Sequence, residues 1–442
     1  MNKLNNNYLV MCLGLLFYSC SSDDATSEVS NPDGESPLSS FEWIQTGADM
    51  YGEPGDNLGT QISLNADGTM LAAGSRSSDL NGSNSGNLRI FQNLNNEWTQ
   101  LGTTIPGAHF GNEFGTSVSI SEDGTTVAAG GCDCSAQANR SSRGQARVYK
   151  FDGANWNQTG VFDGENPGDR YGSSISLNAD GTIVAIGSPY NNGGFEGNSD
   201  AGHVRVFEYD GVSWNQLGND INGEGIIDGL GNAISLSADG TIIAIGSSNK
   251  LHNSLEKVGE VNIYRFINSE WTKIGNPIVG SNLRDQFGYS VSISSDGNMV
   301  AIGAPESDIT QTENNQGYVR IFRNTGDSWT QIGSDLRGEN SRDFFGQVVS
   351  ISGNGTTVSI GAVGYDGVDG TMENSGYTKV YRLNNGNWAL IGDAILGEAA
   401  IDNAGNAVSL NSNGEILAIA AHFNDNNGNG SGQLKVFKLE PK

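Results

Sequence analysis

Between Phe287 and Pro305 the chain reads FGYSVSISSDGNMVAIGAP, and the spacing of its apolar positions changes partway along. Ser290, Val291, Ser292 and Ile293 alternate polar with apolar, the period of a strand with one buried and one polar-facing side. Asp296-Gly297 interrupts the alternation. An Asp-Gly pair there predicts a two-residue type I′ hairpin, whose central positions both need positive φ. Met299 to Gly303 then runs apolar without a break, as a strand covered on both faces does. Beyond a long polar loop, GYVRIF (Gly317 to Phe322) and WTQIG (Trp329 to Gly333) alternate again. One stretch therefore predicts four antiparallel strands.

The stretch is one copy of seven. Its opening pattern returns at Gly59, Gly115, Gly172, Gly231, Gly346 and Gly405, as in GTQISLNADGTMLAAG and GSSISLNADGTIVAIG. All seven tryptophans, Trp43, Trp98, Trp156, Trp214, Trp271, Trp329 and Trp388, stand 55 to 59 residues apart. Four strands repeated at this period predict an all-β, seven-bladed β-propeller with four antiparallel strands per blade. The two ends are complementary fragments. EWIQTG (Glu42 to Gly47) has no strands before it, and the last repeat stops at GQLKVF (Gly432 to Phe437) without its Trp strand. The strand around Trp43 is therefore expected to pair into the last blade, closing the ring and hiding an open edge.

With its FG and GAP elements, this repeat resembles the FG-GAP repeat of integrin-α-type propellers, over roughly Phe41 to Leu439. The FG element stands as Phe114-Gly115, Tyr171-Gly172, Phe287-Gly288 and Phe345-Gly346, and the GAP element is complete at Gly303-Ala304-Pro305. The resemblance implies a propeller used for adhesion, ligand capture or scaffolding; because one fold hosts many activities, it does not specify a ligand.

The N-terminus begins with Lys3 and an eleven-residue apolar run, Tyr8 to Tyr18, followed by Ser19-Cys20. The run is too short to span a bilayer as a helix and has the form of a secretory signal. It resembles a bacterial lipoprotein signal, which implies cleavage before Cys20 and acylation of that cysteine, although Phe17 stands where such signals usually carry Leu. The organisation read from this is a signal peptide at 1–19, an acidic tether at 20–40 and the propeller at 41–442. The SSDD after Cys20 resembles an acidic tag that directs some lipoproteins to the cell surface; it reads equally well as plain linker. The expected location is the bacterial outer membrane, at the cell surface or facing the periplasm. With 23 basic against 50 acidic residues, nucleic acid and anionic membrane surfaces are excluded as partners, since both reward basic patches.

The acidic turns raise the question of calcium. In the integrin-type loop, oxygen ligands alternate around Asp-Gly and a further Asp follows. Here the corresponding positions are apolar, such as Leu71 and Val300, and two repeats replace the Asp by Asn354 and Asn413. The turns therefore read as hairpins, with no cofactor or metal expected. A second acidic position recurs between the Trp strand and the next repeat, at Asp56, Asp169, Asp228, Asp285, Asp343 and Asp402, with Asn112 as the exception. It reads either as a carboxylate ring near one end of the channel or as a set of turn caps, and the regular repetition favours caps.

Symmetry breaks in the long loops between second and third strands, expected at the same end as those connectors. Loops on a rigid scaffold commonly carry recognition, and Tyr190, Phe195, Tyr365 and Phe423 are the candidate contacts there. Lys250, His252 and Lys257 mark a basic-leaning loop that reads as solvated. Cys132 and Cys134, one residue apart, read as a disulfide staple rather than a redox or zinc site. The four histidines share no metal-ligand spacing, and no catalytic motif is present. The expected function is non-catalytic recognition of a protein or glycan by a monomeric propeller. The alternative is a glycan-degrading enzyme with carboxylates at the channel mouth.

Overall fold

A computed structural model of the chain describes residues 38–442, apart from 134–142, 195–198, 253–256, 309–314, 327 and 368. The signal, Cys20 and the tether as far as residue 37 lie outside the described residues; the last residues read as tether, Leu38–Ser40, form a single 3₁₀ turn leading into the ring. The remainder forms seven antiparallel sheets around a channel. In the fifth blade, inner strand Ser290–Ile293 pairs with Met299–Ala304, which pairs with Tyr318–Asn324. The outer edge comes in two pieces, Trp329–Gln331 and Leu336–Arg337, both paired with Tyr318–Asn324. In the second blade the outer strand is continuous over Trp156–Asp163, with a bulge opposite Val148/Tyr149.

The seventh blade is built from both ends of the ring. Ala407–Leu410, Ile416–Ala421 and Gln433–Pro441 supply three strands, and Phe41–Gln45 supplies the outer one, with Trp43 opposite Leu439. The closure read from the complementary ends is the one observed.

Each sequence regularity has a packing cause. The second strands are apolar throughout because neighbouring blades cover both faces: Val300, Ala301 and Ile302 are all fully buried. The inner strands keep a serine because it joins blades. The Ser63 hydroxyl accepts a hydrogen bond from the Ile120 amide of the next blade. The relation repeats around the ring until Ser409 accepts from Leu64, seven bonds of 2.9–3.2 Å. One turn below, a second circle joins backbone to backbone, from Ala66 to Glu122, Ala179, Ala238 and Ser295, then through Gly353 and Asn354 to Ser412 and back to Ala66, at 2.8–3.0 Å. The GAP and FG glycines face one another between blades: a Cβ on Gly303 would lie 2.0 Å from the Gly346 carbonyl oxygen. In the outer strands, the Trp388 indole N–H donates to the Ile332 carbonyl of the preceding blade at 3.1 Å, and Trp43 does the same to Ile391 across the seam at 3.0 Å.

The hairpin turns differ from the type I′ expectation. Gly68 and its equivalents take positive φ, but Asp67 and its equivalents do not. The Gly68 amide donates to the Asn65 carbonyl at 3.1 Å, so the turn is type I, ending on a left-handed glycine. The controlling residue stands two before the Asp. The side-chain oxygens of Asn65, Ser121, Asn178, Ser237, Ser294, Ser352 and Asn411 each accept the amide five residues on, at 2.8–3.0 Å. That bond fixes the turn from outside the Asp-Gly pair.

Candidate functional site

Long loops and connectors meet at one end of the ring, where the channel widens into a cavity of about 660 Å³. At the tight-turn end the cavity is about 190 Å³. The wide mouth is lined by residues that differ from blade to blade: Arg76, Arg170, Tyr190, Asn232, Lys257 and Tyr289, with His422 beside them. Arg170 lies over the Tyr190 ring, its guanidinium carbon 4.0 Å from the centroid. Arg76 is near enough to bias several neighbours. Burial holds His422 down to about 4, with Arg76 adding to the effect. Burial pushes the Glu113 carboxyl up, and Arg76 and Arg170 together offset only part of that rise. His422 is thus a neutral ring at ordinary pH, packed at a 40° tilt against Phe423 with 3.9 Å between centroids.

The repeated carboxylates do not take part in this mouth. All six, Asp56, Asp169, Asp228, Asp285, Asp343 and Asp402, are buried, and none lines the cavity. Asp285 accepts the amides of Ser281 and Asn282 at 2.9 and 2.8 Å and the Tyr318 hydroxyl at 2.9 Å. Asp343 repeats this with Glu339, Asn340 and Tyr377. Asp169 and Asp402 each cap one backbone amide and accept a loop asparagine, Asn191 or Asn424. Asp56 and Asp228 also hold a cation, Arg89 and Lys250. Asn112 fills the vacant place, accepting the Ala108 amide at 3.1 Å. The geometry is that of turn caps.

The hairpin carboxylates are similarly engaged. Asp296 accepts the Ser294 hydroxyl at 2.6 Å and the Asn298 amide at 2.9 Å. Burial pushes its carboxyl up, but these bonds together outweigh that and hold it below the usual range. Among the described residues no three His, Cys, Asp or Glu side chains converge as metal ligands would.

Of the candidate contacts, Tyr190 is 39% exposed at the mouth, and Phe423, 38% exposed, lines a separate cleft with Phe344 and Ile401. Tyr365 does not belong to the binding face. It is 7% exposed and packs edge-on against Tyr377 at 5.0 Å, because its loop folds back over the blade. Phe195 lies outside the described residues. So does Cys134; Cys132 is buried and disulfide-bonded. The basic-leaning loop divides: Lys250 pairs with Asp228, His252 lies 3.0 Å from Glu260, and Lys257 lines the mouth.

Arg76, Arg170, Asn232, Tyr289 and His422 were not singled out from sequence. The available signal was a departure from the repeat. Tyr289 follows the FG glycine where other blades carry Thr60, Ser173 or Asn406, and Arg170 is the one cation at a connector position that holds Asn57, Glu113, Gly229, Gln286, Phe344 and Asn403 elsewhere.

In comparison with known families, the FG-GAP repeat model matches residues 281–322. The match runs from the Ser281 connector through the third strand of the fifth blade. Among curated proteins, none matches the chain.

Proposed function

We propose that this seven-bladed propeller, with an FG-GAP repeat at residues 281–322, is a non-catalytic binding or scaffold module working from its long-loop face. On this reading a lipid on Cys20 holds it to a bacterial outer membrane, at the surface or facing the periplasm, and a protein or glycan docks at the mouth. One observation carries the reading: the side chains that break the repeat converge on the wide cavity, while the repeated acids are occupied in their own turns. A rigid ring that presents variable loops is a common recognition arrangement, and a concave site of this size suits a small ligand or a chain end. No metal is needed for this, since the site is built from cations, amides and rings. The glycan-degrading alternative would need free carboxylates at the mouth, where the described lining includes one, Asp200.

The test is crosslinking and pull-down of the acylated protein from intact source cells, read by mass spectrometry, alongside a polysaccharide panel scored for binding and cleavage in chelator. A captured partner or a bound, uncleaved glycan is the expected result. Cleavage products that vanish with Asp200→Asn, in a variant that keeps its fold, would establish the enzyme instead.

A further inference from the structure

The mouth departs in charge from the rest of the molecule. The chain carries a net −27, yet the described residues lining the cavity include three full cations, Arg76, Arg170 and Lys257, against one carboxylate, Asp200. Arg89 and Lys250, also at this end, are neutralised by Asp56 and Asp228; none of the three lining cations enters an ion pair among the described residues.

Two of the three also hold an unfavourable backbone. Arg170 has φ 55° at the connector position where other blades carry Asn57, Glu113, Gly229, Gln286, Phe344 and Asn403, and it is the one cation among them. Lys257 has φ 49° at the loop position where others carry Asn84, Asn315 and Asn374. Asn and Gly take the left-handed conformation readily, and long side chains do not. At Lys257, where the repeat prefers Asn, a cation kept against that preference points to a use for the side chain.

Beside these cations, Tyr289 is 40% exposed and Tyr190 39%, and Asn249 and Gln347 add amide groups to the lining. Asp200 and the neighbouring Glu113 keep the mouth from being uniformly positive. That mixture suits a ligand in which acid groups alternate with hydroxyls better than a bare polyanion. The concave form suits a chain end better than a flat protein surface, which would need about 800 Å² from each partner.

We propose that the channel mouth binds an acidic saccharide, its ring carboxylate or sulfate groups held by Arg76, Arg170 and Lys257 and its ring faces laid against Tyr190 and Tyr289. The proposal rests on the mouth being the binding face, as inferred above, and narrows what binds there. Arginine grips planar oxyanions with two parallel N–H donors, and exposed tyrosines offer flat apolar faces with a polar rim.

The test is calorimetric titration of the full chain with trigalacturonate, a sulfated trisaccharide and, as the neutral control, maltotriose. At least one acidic sugar should bind ten-fold or more tighter than maltotriose, and more weakly as salt rises. Which acidic sugar binds identifies the acid group. Arg170→Asn should weaken that binding at least ten-fold while its melting temperature does not fall, because Asn suits the left-handed position. Equal affinity for maltotriose, or acidic-sugar binding that Arg170→Asn leaves unchanged, overturns the proposal. So does the absence of binding to either acidic sugar. If crosslinking still captures a partner through the long loops, or the polysaccharide panel still binds, only this narrower inference falls; if neither happens, the binding reading falls with it.

Discussion

His422 illustrates how much a single side chain at the mouth depends on its surroundings. Its ring is largely buried, its Nδ1 has no hydrogen-bond partner, and its proton affinity is lowered to about 4, by burial first and Arg76 second. In the unfolded chain a histidine takes up its proton near pH 6.5. Between pH 6.5 and 4 the unfolded state therefore binds a proton that the folded state refuses, so folding weakens as pH falls through that window and is fully supported above it. The contribution is at most about 3 kcal/mol. Chemical denaturation of the protein and of His422→Asn at pH 7, 5.5 and 4.5 should show the wild type losing stability faster. Parallel pH curves would show that the ring is not held neutral. None of this was legible in the sequence, where His422 is one of four scattered histidines and Arg76 lies 346 positions away.

At the scale of the element, the connector turn is the unit most open to test. Asp343 accepts two backbone amides and a tyrosine hydroxyl while 1% exposed. Removing the acceptor strands buried donors, which costs about 1–3 kcal/mol. Asp343→Ala should therefore lower stability by about that amount in urea titrations, and Asp343→Asn by less, with ligand binding at the mouth unchanged in both. A loss of binding at constant stability would return these carboxylates to a functional ring. The blade was legible because its strand periods and its tryptophan recur seven times, so chance agreement at one copy is corrected by the others. The turn type was not, because Asp-Gly looks alike in both hairpins; the deciding bond comes from Asn65 or Ser294, outside the pair. Nor could loop chemistry show that Tyr365 is covered by its own loop while Tyr190 faces the mouth, since both read as aromatics in polar surroundings.

For the whole molecule, the ring is held by circles of equivalent bonds and broken by chain connectivity at one place. The seventh blade needs Phe41–Gln45 and Gln433–Pro441 together, residues almost the full ring apart in sequence. Pairing so remote in sequence is slow to form, because the intervening chain must be ordered first. A circular permutant carrying residues 41–51 after Lys442 should fold to the same circular dichroism spectrum and melt within a few degrees of the parent. Deleting 41–51 without replacement exposes a long strand edge, and aggregation is the expected outcome by light scattering. A deletion variant that stayed monomeric and equally stable would show the closure to be dispensable.

That seam also determines how the molecule would respond to being pulled. The strand at Phe41 lies antiparallel against Pro441, at the end where the chain enters from its N-terminal side. Tension applied there, with a ligand gripping the opposite mouth, would slide this strand along its partner and load its rungs together, in shear. The ring would release at its clasp while the other six blades stayed folded. A propeller tethered in this way would behave as a mechanical fuse, giving way at a defined joint and able to reseal once the load was removed.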